Sequence, residues 1–157
     1  MKFETLHVLV VEDQPGVTQL LEEAFGEIEE VRYAQPWMRL CRRTFASTVD
    51  EALSLLRERT FDAILLDLAV PGSRESSAYG LIYDQHPLVP VVILAQPGDE
   101  NLALSRIRQG AQDYLVTSEI DCAPLAKALR NAVERTRHFT ALMQTREPAA
   151  PEEVLVS

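Results

Sequence analysis

Short, almost unbroken apolar runs alternate along this chain with segments whose apolar residues recur at helical spacing. The clearest runs are residues 6–11, 63–66 and 91–94. An uninterrupted apolar run is typical of a strand that is covered on both faces in a parallel sheet. Residues 113–117 predict the last strand, and between these runs lie amphipathic segments with inward stripes such as Val17, Leu21 and Phe25.

The second strand has two candidate positions, residues 31–34 and residues 44–46. Trp37 lies between them, next to a group of arginines. We interpret Trp37 as a cover for the sheet edge rather than as part of a docking patch, and the acidic outer face of the first helix as solvated.

Helix boundaries are marked by residues that commonly begin or end helices. Thr48 and Glu51 form the pattern of a capping box, and Gly110 is placed to end a helix. The final helix is predicted to begin near Pro124 and to reach at least Phe139. The other predicted N-caps are Asp13, Asp99 and Asp121. Five strands alternating with five helices predict an α/β fold with a doubly wound parallel sheet.

Length and composition narrow the class of protein. The 157 residues suit one domain, and 46% hydrophobic residues allow a substantial core. A net charge of −9 opposes nucleic acid as the main partner. Two distant cysteines, no basic-then-apolar leader and no long apolar run indicate a cytoplasmic protein without a membrane segment. We expect the domain to occupy residues 1–143, with 144–157 as a flexible tail and no output domain behind it.

Acidic residues follow two strands that such a sheet would place side by side. Glu12 and Asp13 end the first strand, and Asp67 ends the third. In the order 2-1-3-4-5 these strands are neighbours at the topological switch point, where open α/β sheets bind ligands. Three converging carboxylates repel one another unless a cation shares the site, and Mg²⁺ prefers such oxygen ligands. A carboxylate beside Mg²⁺ can attack a phosphoryl donor.

These features together resemble the receiver domain of two-component response regulators, over about residues 5–138. The matching segments are Leu-Val-Val-Glu-Asp at 9–13, residues 62–67 with Pro-Gly at 71–72, residues 90–94, and Gly-Ala-Gln-Asp-Tyr-Leu-Val at 110–116. The resemblance implies a flavodoxin-like fold. It also implies that Asp67 is the phosphoacceptor, that Glu12, Asp13 and the backbone carbonyl of Ala69 bind Mg²⁺ with it, and that Tyr114 is the switching aromatic residue.

Two positions depart from the family pattern. Ala95 stands where the family has a Ser or Thr that hydrogen-bonds the phosphoryl group, and Thr117 stands where it has a Lys that pairs with phosphate. The main hypothesis is a phosphorelay receiver that is phosphorylated on Asp67. The alternative is a degenerate receiver that binds partners without phosphorylation.

The resemblance also implies partners. A sensor histidine kinase or a phosphotransfer protein would supply the phosphoryl group, and we expect a signalling module rather than an enzyme. An Asp-nucleophile phosphohydrolase is disfavoured, because that chemistry would use an acid where Ala69 stands. The face formed by helix 4, strand 5 and helix 5 is predicted to bind an acidic partner or a second copy of the chain, and neither a membrane nor nucleic acid is expected. The basic residues of this predicted partner face are Arg106, Arg108, Lys127 and Arg130.

Overall fold

A computed structural model describes residues 5–30, 40–73 and 76–146, in which strands and helices alternate throughout. The strands are β1 (Thr5–Val11), β2 (Leu40–Ala46), β3 (Ala63–Asp67), β4 (Val91–Ala95) and β5 (Asp113–Val116). The helices are α1 (Pro15–Glu29), α2 (Val49–Glu58), α3 (Ser76–Gln85), α4 (Glu100–Arg108) and α5 (Cys122–Arg146), with one 3₁₀ turn at Thr117–Glu119.

The five strands form one parallel sheet in the order β2-β1-β3-β4-β5. Every residue of β3 and β4 is buried, as their unbroken apolar runs predict. One apolar cluster joins a face of the sheet to α1 and α5, and a second joins the opposite face to α2, α3 and α4. The predicted fold class and strand order are therefore confirmed.

Strand β2 occupies the second of its two predicted positions, extended toward the amino terminus to Leu40. It is anchored to α1 by Arg43, whose guanidinium contacts Glu22 and Glu29 at 2.8 Å each. Glu29 also accepts a hydrogen bond from the Cys41 backbone N–H at 2.9 Å. Part of the acidic face of α1 is thus paired with β2. Its prediction as a solvated face is wrong for Glu29, whereas Glu22 stays exposed to solvent while it contacts Arg43. Residues 31–34 and Trp37 lie outside the described residues.

The helix boundaries bear out some of the predicted caps. Thr48 Oγ1 accepts a hydrogen bond from the Glu51 backbone N–H at 3.1 Å, and Glu51 reaches back to the Ser47 N–H at 2.6 Å. Asp121 Oδ1 accepts from the Cys122 N–H, so α5 begins two residues before Pro124. Gly110 follows α4 with a φ of 128°, a conformation that favours glycine.

One predicted cap is wrong, because the N-cap of α1 is Gln14 rather than Asp13. Asp99 holds the predicted N-cap position of α4, but its side chain makes no capping hydrogen bond. Pro15 in the first turn favours the start of α1 through its fixed φ, so the helix begins there without a side-chain cap.

Helix α5 continues to Arg146, a few residues past the expected domain boundary at 143. The remainder of the expected tail, residues 147–157, lies outside the described part of the chain. Within the described ranges, no helix combines the length and the apolar character that crossing a bilayer requires.

Candidate functional site

The fold brings two acidic side chains together at the carboxyl edge of the sheet. Asp67 is the last residue of β3 and is fully buried, and Glu12 directly follows β1 and is 3% exposed. The two strands are paired with Val11 opposite Leu66, so the next residue of each strand is Glu12 and Asp67. The Glu12 backbone N–H continues the pairing with β2 by donating to the Ala46 carbonyl at 2.9 Å. The acids therefore stand on neighbouring strands, as predicted.

Each of these buried carboxylates uses one oxygen in hydrogen bonds and leaves the other without a partner. Glu12 Oε1 accepts from the backbone N–H groups of Asp13 at 3.1 Å and Gln14 at 2.8 Å. Asp67 Oδ1 accepts from the Ala69 N–H at 2.7 Å. Glu12 Oε2 and Asp67 Oδ2 are buried and have no hydrogen-bond partner. Because unpaired buried oxygens are costly, these two atoms mark a place for a proton or a cation.

The pKa of Glu12 also reflects its burial next to a second carboxyl group. Burial, and after it the neighbouring Asp67 carboxyl, raise the pKa of this carboxyl to about 8 against the lowering effect of the two backbone donors. A bound cation would reverse the effect of the Asp67 charge, since an opposite charge favours the ionised carboxylate.

The turn after β3 is fixed by a second buried polar residue. The Ser73 hydroxyl contacts the backbone carbonyls of Asp67 and Val70 at 2.6 Å each, and the Ser73 N–H donates to Val70 at 3.0 Å. These contacts close the segment that carries Ala69, so the backbone beside the Asp67 carboxyl is held in place. Gly72, with a φ of 87°, allows the chain to turn there.

Asp13 does not join the buried pair. Its side chain is exposed, and the oxygens of Glu12, Asp13 and Asp67 do not all lie within 4.8 Å of one another. The group of three that meets this distance in the described residues is Glu27, Asp121 and Cys122. Asp13 therefore lies beside the buried pair at the start of the loop, with its N–H bonded back to Glu12 and its side chain facing solvent. The convergence of all three acids on one cation stays a prediction.

The two positions that depart from the family pattern lie at the same edge of the sheet. Ala95 ends β4 and is fully buried, and it lies opposite Val116, the last residue of the neighbouring strand β5. Thr117 follows immediately and is 8% exposed. Tyr114 is half-buried and packs on the cluster that includes α4. Ala95 therefore brings no side-chain donor to this edge. Thr117 brings a hydroxyl but no ammonium group.

The predicted partner face is only partly present. Arg108, Lys127 and Arg130 are exposed on α4 and α5, which both pack on β5. Arg106 is 3% exposed, and one of its guanidinium nitrogens contacts Ser105 Oγ at 3.2 Å. Arg106 is thus part of the packing of α4, and its assignment to an exposed face is wrong.

Sequence reasoning missed two amide side chains near the acids. Gln14 follows Glu12 and Asp13 in the loop after β1, and Gln96 follows Ala95 at the end of β4. Gln96 Nε2 lies 3.5 Å from Gln14 Oε1, although 82 positions separate them in sequence. The position of Gln96 in the sequence could have indicated its place, because a polar residue directly after a buried parallel strand lies at the ligand-binding edge of the sheet.

Comparison with known proteins identifies the class to which this fold and site belong. The family model of the response regulator receiver domain matches residues 8–130. The chain belongs to the response regulator receiver family, the proteins of two-component signal transduction.

Two full-length response regulators are similar to the chain in sequence. The chain is 30% identical over 125 residues to the response regulator protein PilR of Pseudomonas aeruginosa, covering 80% of this chain and 25% of that protein. It is 32% identical over 108 residues to the DNA-binding transcriptional regulator NtrC of Escherichia coli, covering 69% of this chain and 21% of NtrC. The chain therefore spans about a quarter or less of these two relatives.

A solved structure agrees with the sequence comparisons. The receiver domain of NtrX from Brucella abortus is 26% identical, superposes with a TM-score of 0.66, and is matched over 81% of this chain and 98% of that domain.

Proposed function

We propose that this chain is phosphorylated on Asp67 in a Mg²⁺-dependent reaction and signals by protein–protein contact. The observation that carries the proposal is the pair of buried, unpartnered oxygens on Glu12 and Asp67 at the carboxyl edge of the sheet. A purely structural domain gains nothing from an uncompensated acidic pair, which costs stability.

We expect an in-line transfer of a phosphoryl group to the Asp67 carboxylate. The Ala69 N–H holds Oδ1, which leaves Oδ2 as the oxygen available to attack phosphorus. With acetyl phosphate as donor, a bond forms between the Asp67 carboxylate and phosphorus, and the bond from phosphorus to the acetate oxygen breaks. Acetate leaves with the electron pair, and Asp67 carries an acyl phosphate.

The residues present fit a hard divalent cation. Glu12, Asp13, Asp67 and the Ala69 backbone carbonyl would hold Mg²⁺, which takes oxygen ligands and keeps several waters. A Mg²⁺ ion held there would neutralise charge that develops on the phosphoryl oxygens. The residues of the chain supply the rest: Glu12 is oriented by two backbone donors, and the turn fixed by Ser73 keeps Ala69 beside Asp67.

The direct test is the intact mass of the chain after incubation with Mg²⁺ and acetyl phosphate. We expect one phosphoryl adduct in the wild type, no adduct with EDTA, and none in Asp67→Asn. Asp62→Asn is the matched control, since Asp62 lies five residues earlier and its carboxylate accepts from the His7 N–H away from the acidic pair. An unmodified wild type that still binds Mg²⁺ would overturn the proposal and favour a phosphorylation-independent interaction domain.

The donor in the cell is proposed to be a histidine kinase or a phosphotransfer protein, in keeping with the receiver family. We propose that the chain is a signalling module rather than an enzyme. Cys41 and Cys122 are free, buried thiols, which supports the cytoplasm as the compartment.

The partner surface is proposed to include Arg108 and Lys127, which are exposed on the two helices that flank β5. The double variant Arg108→Glu/Lys127→Glu should weaken self-association or binding of an acidic partner by about tenfold, because each exposed charge pair contributes up to about 1 kcal/mol. Sedimentation velocity of the phosphorylated chain provides the measurement. Arg57→Glu, on the exposed side of α2, is the control, and equal association of both variants would contradict this surface.

A further inference from the structure

Compared with the family pattern, the site lacks the hydroxyl at residue 95 and the cationic donor at residue 117. Ala95 has no side-chain donor, and Thr117 is neutral. A phosphoryl group carries about −1.5 to −2 charges at neutral pH and three acceptor oxygens. The residues already assigned to the site are mainly acceptors, so other side chains must donate to these oxygens if the acyl phosphate is to persist.

Gln96 and Gln14 are placed to do this. Gln96 follows Ala95 at the end of β4, and β4 pairs with β3 so that Asp67 lies opposite Leu94. Gln14 lies two residues after Glu12, and its backbone N–H donates to the Glu12 carboxylate. The contact of 3.5 Å between the two amides therefore joins the ends of β4 and β1 on either side of β3, whose last residue is Asp67.

The amide pair has unused donors. Each glutamine amide offers two N–H groups. The Gln96–Gln14 contact uses one of the four, and neither side chain makes another hydrogen bond within the described residues. A separation of 3.5 Å is at the long limit for a hydrogen bond, so the contact is weak and opens at little cost. Both side chains are half-buried, which leaves them reachable from solvent.

We propose that Gln96 donates a hydrogen bond to the phosphoryl group on Asp67, in place of the hydroxyl absent at Ala95, and that Gln14 positions Gln96 for this contact. The proposal rests on the proposed phosphorylation of Asp67. It assigns a binding role to Gln96, which touches the phosphoryl oxygens, and a positioning role to Gln14. Because both amides are neutral, the pair orients the phosphoryl group without replacing the charge of a lysine.

The test compares Gln96→Ala, Gln96→Glu and Gln14→Ala with the wild type. Phosphorylation by acetyl phosphate is followed by intact mass, and the affinity for beryllofluoride with Mg²⁺ is measured as a stable mimic of the phosphoryl group. A hydrogen bond to a charged group contributes about 1.5–3 kcal/mol, so Gln96→Ala should weaken beryllofluoride binding by about 10- to 100-fold. Gln96→Glu should weaken it further through like-charge repulsion, and Gln14→Ala should have a smaller effect.

Two readouts separate this role from a structural one. The affinity for Mg²⁺ alone and the urea midpoint should stay at wild-type values in Gln96→Ala. Gln109→Ala, at an exposed position just after α4, is the control for loss of a surface amide. A wild type without an adduct would refute the phosphorylation itself. A phosphorylated wild type that Gln96→Ala matches in rate and in beryllofluoride affinity would refute the role of Gln96 alone.

Discussion

Glu12→Gln is expected to raise the free energy of unfolding of the metal-free chain by about 4 kcal/mol at pH 8, because it removes a buried carboxylate that must otherwise ionise beside Asp67. The pKa of Glu12 rises from 4.5 to about 8 on folding, with burial as the largest cause. Between these values the folded state binds more protons than the unfolded state. The stability of the wild type therefore falls as the pH rises from about 4.5 to about 8, and it levels off above that.

The glutamine side chain suits this position. Its amide oxygen can accept the backbone N–H groups of Asp13 and Gln14, which Glu12 Oε1 accepts now. Its amide nitrogen can donate to the unpartnered Oδ2 of Asp67. The variant should thus lose the pH slope and satisfy a buried acceptor, while its affinity for Mg²⁺ drops because one anionic ligand is gone.

Urea unfolding in EDTA at several pH values from 5 to 8.5 measures this effect. We expect the free energies of unfolding of the two proteins to differ by about 1 kcal/mol or less at pH 5 and by about 4 kcal/mol at pH 8. Glu58→Gln, at an exposed position on α2, controls for the loss of one negative charge and should follow the wild type. Parallel stability curves for wild type and Glu12→Gln would contradict the shifted pKa.

The fold was predictable because local and long-range preferences agree along this sequence. Residues 63–66 and 91–94 are apolar at every position, and such strands can be buried only in the middle of a sheet that is covered on both faces. Strand β2 was ambiguous because it lies at the sheet edge. Its Arg42 is exposed and its Arg43 pairs with acids of α1, so its sequence lacks the continuous apolar run of a central strand.

The site was predictable to the extent that position along a strand determines position at the sheet edge. The adjacency of Asp67 and Glu12 could be predicted because each stands at the end of its strand and the two strands are neighbours in the sheet. The exposure of Asp13 and the burial of Arg106 depend on how individual side chains leave the backbone, and a charge at helical spacing does not reveal this. The contact between Gln14 and Gln96 depends on two loops that only the folded sheet brings together.

Thr117→Lys is expected to increase the rate of phosphorylation of Asp67 by acetyl phosphate about 10- to 100-fold, because a cation at this edge offsets charge that only Mg²⁺ balances in the wild type. Thr117 directly follows β5 and is buried at the same edge as Ala95. A lysine stem can lie along the apolar edge while its ammonium group reaches the acidic crevice. In the metal-free chain, the same ammonium should lower the pKa of Glu12 and flatten the fall of stability with pH.

Two control variants make this test specific to a cation in the crevice. Thr117→Met fills similar space without a charge and should not accelerate phosphorylation, whereas Ser118→Lys adds the charge at the exposed neighbouring position and should have little effect. Single-turnover rates from intact mass, together with urea unfolding in EDTA, provide both readouts. If Thr117→Lys matched Thr117→Met in both readouts, residue 117 would not reach the acidic pair, and the proposed Mg²⁺ would be left to balance the charge of the phosphoryl group.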